Sequence, residues 1–338
     1  MTTPEVDNAK IDDAAAGAFL AGGGAAARKL PPVAIVIAAF NEADVIGQVI
    51  EALPGEICGL KTAVIVVSDG SRDKTAEVAK AHGALACDVP VNRGQGAALR
   101  LGYRLAREGG ASYIVTTDAD GQYNPAEMER VLAPVVAGEA DFVTGSRKLG
   151  SQETNDPVRR LGTWVFAKTI SMLTGQQITD SSFGLRAMRA EVTGAVRLEQ
   201  PQYQSSELLI AVLARGFRVT EVPATIHKRQ VGESKKGHNA IYGLKFAGVV
   251  AGTWWRERQR RVPGSGSVDA SAAGRRPGDR SAAPFPAQAG DPERTAPDAP
   301  AANGSGPESS SGGTGVPEAS TAESTESETL DPRSAKRT

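Results

Sequence analysis

The chain has 338 residues, with 38 basic and 39 acidic side chains and a formal charge of −1, a balance that gives no sign of a nucleic-acid partner. Its two cysteines, Cys58 and Cys87, have no metal-type spacing, which excludes a disulfide scaffold or cysteine zinc site and fits a reducing compartment. No apolar run reaches the roughly 18 residues that a membrane-spanning helix takes, and the acidic, Ala-Gly-rich start makes a poor signal peptide, so the cytoplasm is expected.

Residues 1–30 carry few large apolar side chains, and residues 262–338 have Phe285 as their only aromatic. Such segments cannot recover their ordering entropy by burial, so a disordered leader and a disordered tail are expected. About 230 residues remain, enough for one α/β domain.

After Pro31-Pro32, the run Val33–Ala39 has the length and apolarity of a buried strand. Asn41-Glu42 follows, and then a helical pattern over Ala43–Leu53 with Val45, Ile46, Val49 and Ile50 on one side. Thr62–Val67 reads as a second strand, broken by Ser68-Asp69-Gly70-Ser71, and Asp73–His82 as a helix. A short strand near Ala84–Val91 leads through Asn92-Arg93-Gly94-Gln95-Gly96 into a helix ending near Arg107. Tyr113–Asp118 is the fourth strand, Pro125–Ala137 a helix and Asp141–Gly145 a fifth strand. Beyond residue 150 the rhythm weakens, with helices expected over Pro157–Leu173 and Ser205–Arg215 and a strand at Val219–Val222.

Strands without polar alternation, separated by helices, are parallel strands covered on both faces. This is an α/β architecture with a Rossmann-like, mostly parallel sheet flanked by helices, whose ligands bind beyond the carboxyl ends of the strands. Four polar loops converge there: Asn41-Glu42, Asp69, Asn92–Gly96 and Asp118–Gln122. In the last, Asp118-Ala-Asp120 places two carboxylates at one strand tip. A hard divalent cation takes oxygen ligands and often only one or two carboxylates, leaving positions for substrate phosphates. A polar turn would use the same residue types.

The ordered set of segments resembles the glycosyltransferase family 2 enzymes, and within them the polyprenyl-phosphate (dolichol-phosphate type) mannosyl- and glucosyltransferases. It comprises Ile37-Ala-Ala-Phe-Asn41-Glu42, Val67-Ser-Asp69-Gly-Ser71, Asn92-Arg-Gly94-Gln-Gly96, Asp118-Ala-Asp120-Gly-Gln122, Gly145-Ser-Arg147, Asp180-Ser-Ser-Phe-Gly184-Leu-Arg186 and Arg229-Gln-Val-Gly232-Glu-Ser234-Lys235. The resemblance implies a single GT-A catalytic domain over residues 31–237, with a donor and metal half (31–122) and an acceptor half (123–237). It implies an inverting transfer of a hexose from a GDP-mannose or UDP-glucose type donor to a polyprenyl phosphate, with Mg²⁺ or Mn²⁺.

In that reading Asp118, Asp120 and Gln122 hold the metal, and Asn41, Glu42, Asp69, Gly94, Gly96 and Asp118 bind the donor. Asp69 could equally cap the helix beginning near Arg72, and the two glycines could serve the turn alone. A phosphate acceptor is already largely ionised and needs cations to hold it in line more than it needs a base. Arg147, Arg160, Arg229, Ser234 and Lys235 are the candidates for that, with Arg186 also available. Asp180 is a site carboxylate in the family. Here it would orient the sugar or an arginine, act as base if the acceptor were a hydroxyl, or merely cap a helix. Glu207 could meet sugar hydroxyls or a helix dipole.

Residues 238–261 contain an apolar stretch ending in Trp254-Trp255 and followed by arginines, which suits either an interfacial helix or one packed on the domain. A lipid acceptor would bring the protein to the inner face of the membrane, peripherally or through a membrane partner. Two other classes fit less well. A sugar nucleotidyltransferase would show a Gly-rich, Arg-containing loop where this chain has Ala39-Phe40-Asn41-Glu42, and a non-catalytic binding protein would not need the Asp118/Asp120 pair.

Overall fold

A computed structural model of the protein describes residues 8–152, 157–200, 204–227 and 240–259. Its strands are β1 (Val33–Ala39), β2 (Glu56–Ile57), β3 (Leu60–Asp69), β4 (Leu85–Val89), β5 (Tyr113–Asp118), β6 (Phe142–Gln152), β7 (Arg186–Arg189) and β8 (Val219–Ile226). They form one sheet in the order β2-β3-β1-β5-β7-β6-β8, with β4 also paired to β3. β4, β3, β1 and β5 are mutually parallel, whereas β7 runs antiparallel to both β5 and β6. The expectation of a mostly parallel sheet holds; periodicity did not reveal the two-residue β2 or β7. Only four residues long and containing two arginines, β7 lacks the apolar run that marks the others.

The helices are α1 (Asn8–Gly22), α2 (Gly24–Arg28), α3 (Ala43–Ala52), α4 (Thr75–Ala81), α5 (Gln95–Glu108), α6 (Met128–Val136), α7 (Pro157–Thr174), α8 (Ala190–Ala195), α9 (Gln204–Arg215) and α10 (Ala240–Arg258). A short 3-10 turn at Pro125–Glu127 precedes α6, with the Asn124 side chain accepting from the Ala126 N–H at 3.0 Å.

Both faces of the sheet are buried. Successive residues of β1 point to opposite sides, so Ala34 and Val36 join one core with α5 and α9. Val33, Ile35 and Ile37 join the other with α3 and α6. Each fully buried Ile or Val contributes about 1.5–3 kcal/mol. Gly102 lets α5 approach closely, since a Cβ there would lie 2.4 Å from a Val36 methyl.

The leader departs from the composition-based expectation. Residues 8–28 are helical, and Ala15, Ala16, Phe19 and Ala27 are buried in the α5-side core, with Ile11 and Leu20 packed against it. The apolar residues at 11, 15–16 and 19–20 recur at helical spacing, so one narrow stripe is enough to dock α1. Composition averaged over thirty residues hides such a stripe.

At the other end α10 packs on α9 and α7, with Val250, Thr253 and Glu257 buried and Trp255 68% exposed. No helix among the described residues is long and apolar enough to cross a membrane.

Candidate active site at the carboxyl ends of the strands

β1, β3 and β5 end at one edge: Ala38 is in register with Asp118 across β5, and Ala39 with Ser68 across β3. Asp118 is therefore the last residue of a central strand, and Gly121, at φ 69°, turns the chain back beneath it. Asp118 Oδ1 accepts from Gln95 Nε2 at 3.0 Å. Asp120 Oδ1 accepts from the Gln122 N–H at 3.2 Å. Gln122 in turn donates through Nε2 to the His227 carbonyl at 2.9 Å, and its own carbonyl accepts from the His227 N–H at 2.9 Å. The amide is thereby held with its oxygen as the remaining ligand atom.

Among the described residues no three His, Cys, Asp or Glu side chains cluster as a metal site. The loop Asp118–Gln122 offers instead two carboxylates and an amide oxygen. That all-oxygen set fits a hard cation such as Mg²⁺ or Mn²⁺ and leaves coordination positions for a diphosphate.

Gly184 closes this corner. The Tyr123 hydroxyl accepts from its N–H at 2.9 Å, and its carbonyl accepts from Thr116 Oγ1 at 2.7 Å. A Cβ at position 184 would stand 2.7 Å from the Tyr123 hydroxyl oxygen and 2.9 and 3.1 Å from the Asp118 carboxylate oxygens. Tyr123, to which the sequence assigned no role, thus ties the Asp118–Gln122 loop to the Phe183-Gly184 segment, and its ring lies tilted against Phe183 with centroids 4.9 Å apart. The motif Phe183-Gly184-Leu185 was visible in the sequence, but its partner was not.

The donor-side residues are knitted to one another. Asn41, at φ 53°, accepts through Oδ1 from the Arg72 N–H at 2.7 Å, and its own N–H donates to Ser71 Oγ at 3.2 Å. The Glu42 N–H donates to Thr75 Oγ1 at 2.9 Å. Asp69 is buried, and its Oδ2 accepts from the N–H groups of Arg93 and Gly94 at 2.9 and 2.7 Å. Burial raises its carboxyl above the usual range, an effect that these bonds and Arg93 only partly offset.

The alternative role of Asp69 as cap of the next helix is overturned: α4 starts at Thr75, whose N–H donates to Asp73 at 3.0 Å. Asp69 instead fixes the turn entering α5. Gly94 there has φ 94°, and a Cβ on Gly70, at φ 69°, would lie 2.2 Å from the Asn92 nitrogen. Gly96 is buried in the first turn of α5.

On the acceptor side Arg147 leaves β6 and meets Asp180 in a two-pronged ion pair, Nε to Oδ2 at 2.6 Å and Nη2 to Oδ1 at 2.8 Å. Nη2 also donates to Ser182 Oγ at 2.6 Å, and the guanidinium lies 5.9 Å from the Phe183 ring centroid. Burial pushes the Asp180 carboxyl up, but the Arg147 hydrogen bonds and charge more than offset this and hold it below the usual range. Beneath it, Glu221 accepts from the N–H groups of Thr179 and Asp180, both at 2.8 Å, and burial raises its own pKa. Glu221 was missed; a single carboxylate between apolar residues of β8 was its only trace.

Several expectations are corrected here. Asp180 caps no helix, since the next element is β7. Arg186 is no free cation: it is 2% exposed within β7, and burial lowers its pKa. Glu207 is fully buried, accepting from the N–H groups of Glu199 and Gln200 at 2.8 and 3.0 Å and from Arg256 at 3.2 Å, so it organises α9 and α10 and meets no sugar. Arg160 belongs to α7, but its side chain lies outside the described residues, as do Arg229, Ser234 and Lys235.

With this geometry in place, residues 34–196 match the family model described as glycosyl transferase family 2. A dolichyl-phosphate hexose transferase of Haloferax volcanii is 32% identical over 202 residues, which is 60% of this chain and 85% of that one. A polyprenol monophosphomannose synthase of Mycolicibacterium smegmatis is 34% identical over 229 residues, 63% of this chain and 83% of the relative. An uncharacterised protein of Methanocaldococcus jannaschii is 36% identical over 217 residues, 63% and 88% of the two chains.

The fold is also that of Mycobacterium tuberculosis glucosyl-3-phosphoglycerate synthase, solved with Mn²⁺, UDP and glucosyl-3-phosphoglycerate. That likeness has a TM-score of 0.51 at 20% identity and covers 77% of this chain and 86% of that one. The chain belongs to glycosyl transferase family 2, with a GT-A fold, and is a glycosyltransferase.

Proposed function

We propose that the protein moves a hexose from a nucleoside-diphosphate sugar to a polyprenyl phosphate, with a divalent metal held by Asp118, Asp120 and Gln122. The observation that carries this reading is the all-oxygen loop at the tip of β5, where the glycine at 184 leaves the Asp118 carboxylate free of a crowding side chain. The acceptor class follows the printed activities of the Haloferax and Mycolicibacterium relatives. When bound, the metal supplies charge stabilisation for the departing diphosphate.

The chain's own residues do the rest. Asp69, with the turn at Gly94, shapes the nucleoside end of the pocket, while Asn41 and Glu42 lock the neighbouring loops. Asp180 aims Arg147, and Arg147, Arg160, Arg229, Ser234 and Lys235 supply the cationic and polar cradle for the acceptor phosphate.

A hydroxyl acceptor would require a general base, and Asp180 is poorly suited to that role. Both its oxygens are engaged by Arg147, and its pKa is depressed. Work on a lipid acceptor places the protein at the inner membrane face as a peripheral enzyme. The test is transfer by purified protein with Mn²⁺ or Mg²⁺, a panel of labelled UDP- and GDP-sugars, and a short polyprenyl phosphate. Product on the lipid phosphate is expected. Transfer only to a soluble hydroxyl compound, or only hydrolysis, would refute the acceptor assignment.

A further inference from the structure

The turn that Asp69 organises has a second holder, which lies outside the family-matched span. Arg93 donates through Nη1 to Asp12 Oδ1 of α1 at 2.7 Å and to the Asn8 carbonyl at 3.4 Å. Its Nε stands 3.6 Å from Asp69 Oδ1. The Arg93 and Asp69 side chains are 4% and 3% exposed. Arg93 Nε and Nη2 and Asp69 Oδ1 are all sealed from solvent without a hydrogen-bond partner among the described residues.

Two donors and an acceptor left unmet in one buried spot are costly, and native proteins keep such groups where a function uses them. A ligand could satisfy them but cannot reach them while Arg93 lies across Asp69. Next to Asp12, Asp13 makes a separate pair with Arg104 at 2.6 Å, on the outer face of α5. Beside its buried apolar stripe the helix thus makes two ion pairs, one on the surface of α5 and one with Arg93.

We propose that α1 is a latch on the donor pocket: Asp12 holds Arg93 across Asp69, and an incoming nucleotide reaches Asp69 by drawing the Arg93 side chain away from Asp12. This rests on the reading of Asp69 as a donor contact. Binding and latching then compete for one guanidinium, so each must oppose the other.

The test uses the full-length protein with Mn²⁺, titrated calorimetrically with UDP and, separately, GDP, beside hydrogen–deuterium exchange of residues 8–22 with and without nucleotide. Asp12→Asn should tighten the preferred nucleotide roughly threefold or more, as expected when a ligand-excluding state is depopulated. Asp13→Asn, which loosens the same helix without touching Arg93, should bind as wild type does, and nucleotide should raise exchange over residues 8–22.

Unchanged or weaker binding by Asp12→Asn, equal tightening by Asp13→Asn, or exchange that stays constant or falls would overturn the latch. Failure of both wild type and Asp12→Asn to bind either nucleotide would overturn the donor-site reading itself, and the latch with it.

Discussion

The two halves of the site are held by different means. On the donor side the carboxylates sit at or just past strand tips, where backbone N–H groups hold Asp69 and Asp120 and the Gln95 side chain meets Asp118. On the acceptor side position comes from charge on charge: Arg147 pairs with Asp180, their side chains 8% and 1% exposed, while the half-buried Glu221 holds the backbone of Asp180. A strand end delivers a side chain through the geometry of a sheet that is stable anyway. A buried ion pair delivers one only while both partners are present. Substitutions at the strand-tip carboxylates Asp118 and Asp120 should therefore reduce activity at constant stability, and those at the Arg147–Asp180 pair should reduce both; Asp69, buried against Arg93, belongs with the second group.

The largest effect expected is for Asp180→Ala, which leaves the Arg147 guanidinium buried without its partner. A loss of about 3–5 kcal/mol in unfolding free energy is expected from denaturant titration. A change below about 1 kcal/mol would dissolve the contrast between the halves. Asp120→Ala should bring transfer down at least about a hundredfold, roughly 2.7 kcal/mol of transition-state stabilisation. Its melting curve should stay close to that of wild type, and comparable loss of stability would break the comparison from the other side.

Gly184→Ala tests the seam. Its Cβ must push against Tyr123 and Asp118, so stability should fall by about 1–3 kcal/mol and metal affinity should weaken with it. Calorimetric Mn²⁺ titration would show this.

The smallest effect expected is in acid. Burial raises the Asp180 and Asp141 carboxyls, and their partners Arg147 and Arg218 more than offset it, so both end below the usual range. The stability they contribute is complete above the unfolded value of about 4 and is lost as pH falls through their lower folded values. Melting temperature should decline below about pH 4, and the decline should be shallower in Asp180→Asn. Asp69 and Glu221, raised by burial, act in the opposite sense: their contribution is present at low pH and lost as pH rises through their folded values.

The sequence was most legible where structure follows from local pattern. β1 could be read residue for residue, because an apolar run bounded by Pro32 and Asn41 has few other uses, and α3 and α5 followed from their periodicity. Asp118 and Asp120 were legible for the same reason, being what comes next after a buried strand. β7 was not, since a four-residue strand with Arg186 and Arg189 owes its existence to β5 and β6 on either side. α1 was hidden by averaging over a segment in which only every third or fourth residue matters. The Arg147–Asp180 partnership, 33 residues apart in sequence, shows in no spacing; only the fold brings the two together.

β7 comes late in the chain yet fills the place between β5 and β6, so the strand that ends in Asp118 has a strand from far beyond residue 122 as its neighbour. The sheet therefore offers no line of cleavage near residue 122. Neither piece could be expressed alone with a complete central sheet, and new acceptors cannot be acquired by swapping a module. They have to be written into the loops that leave β6, β7 and β8 on a scaffold that stays whole.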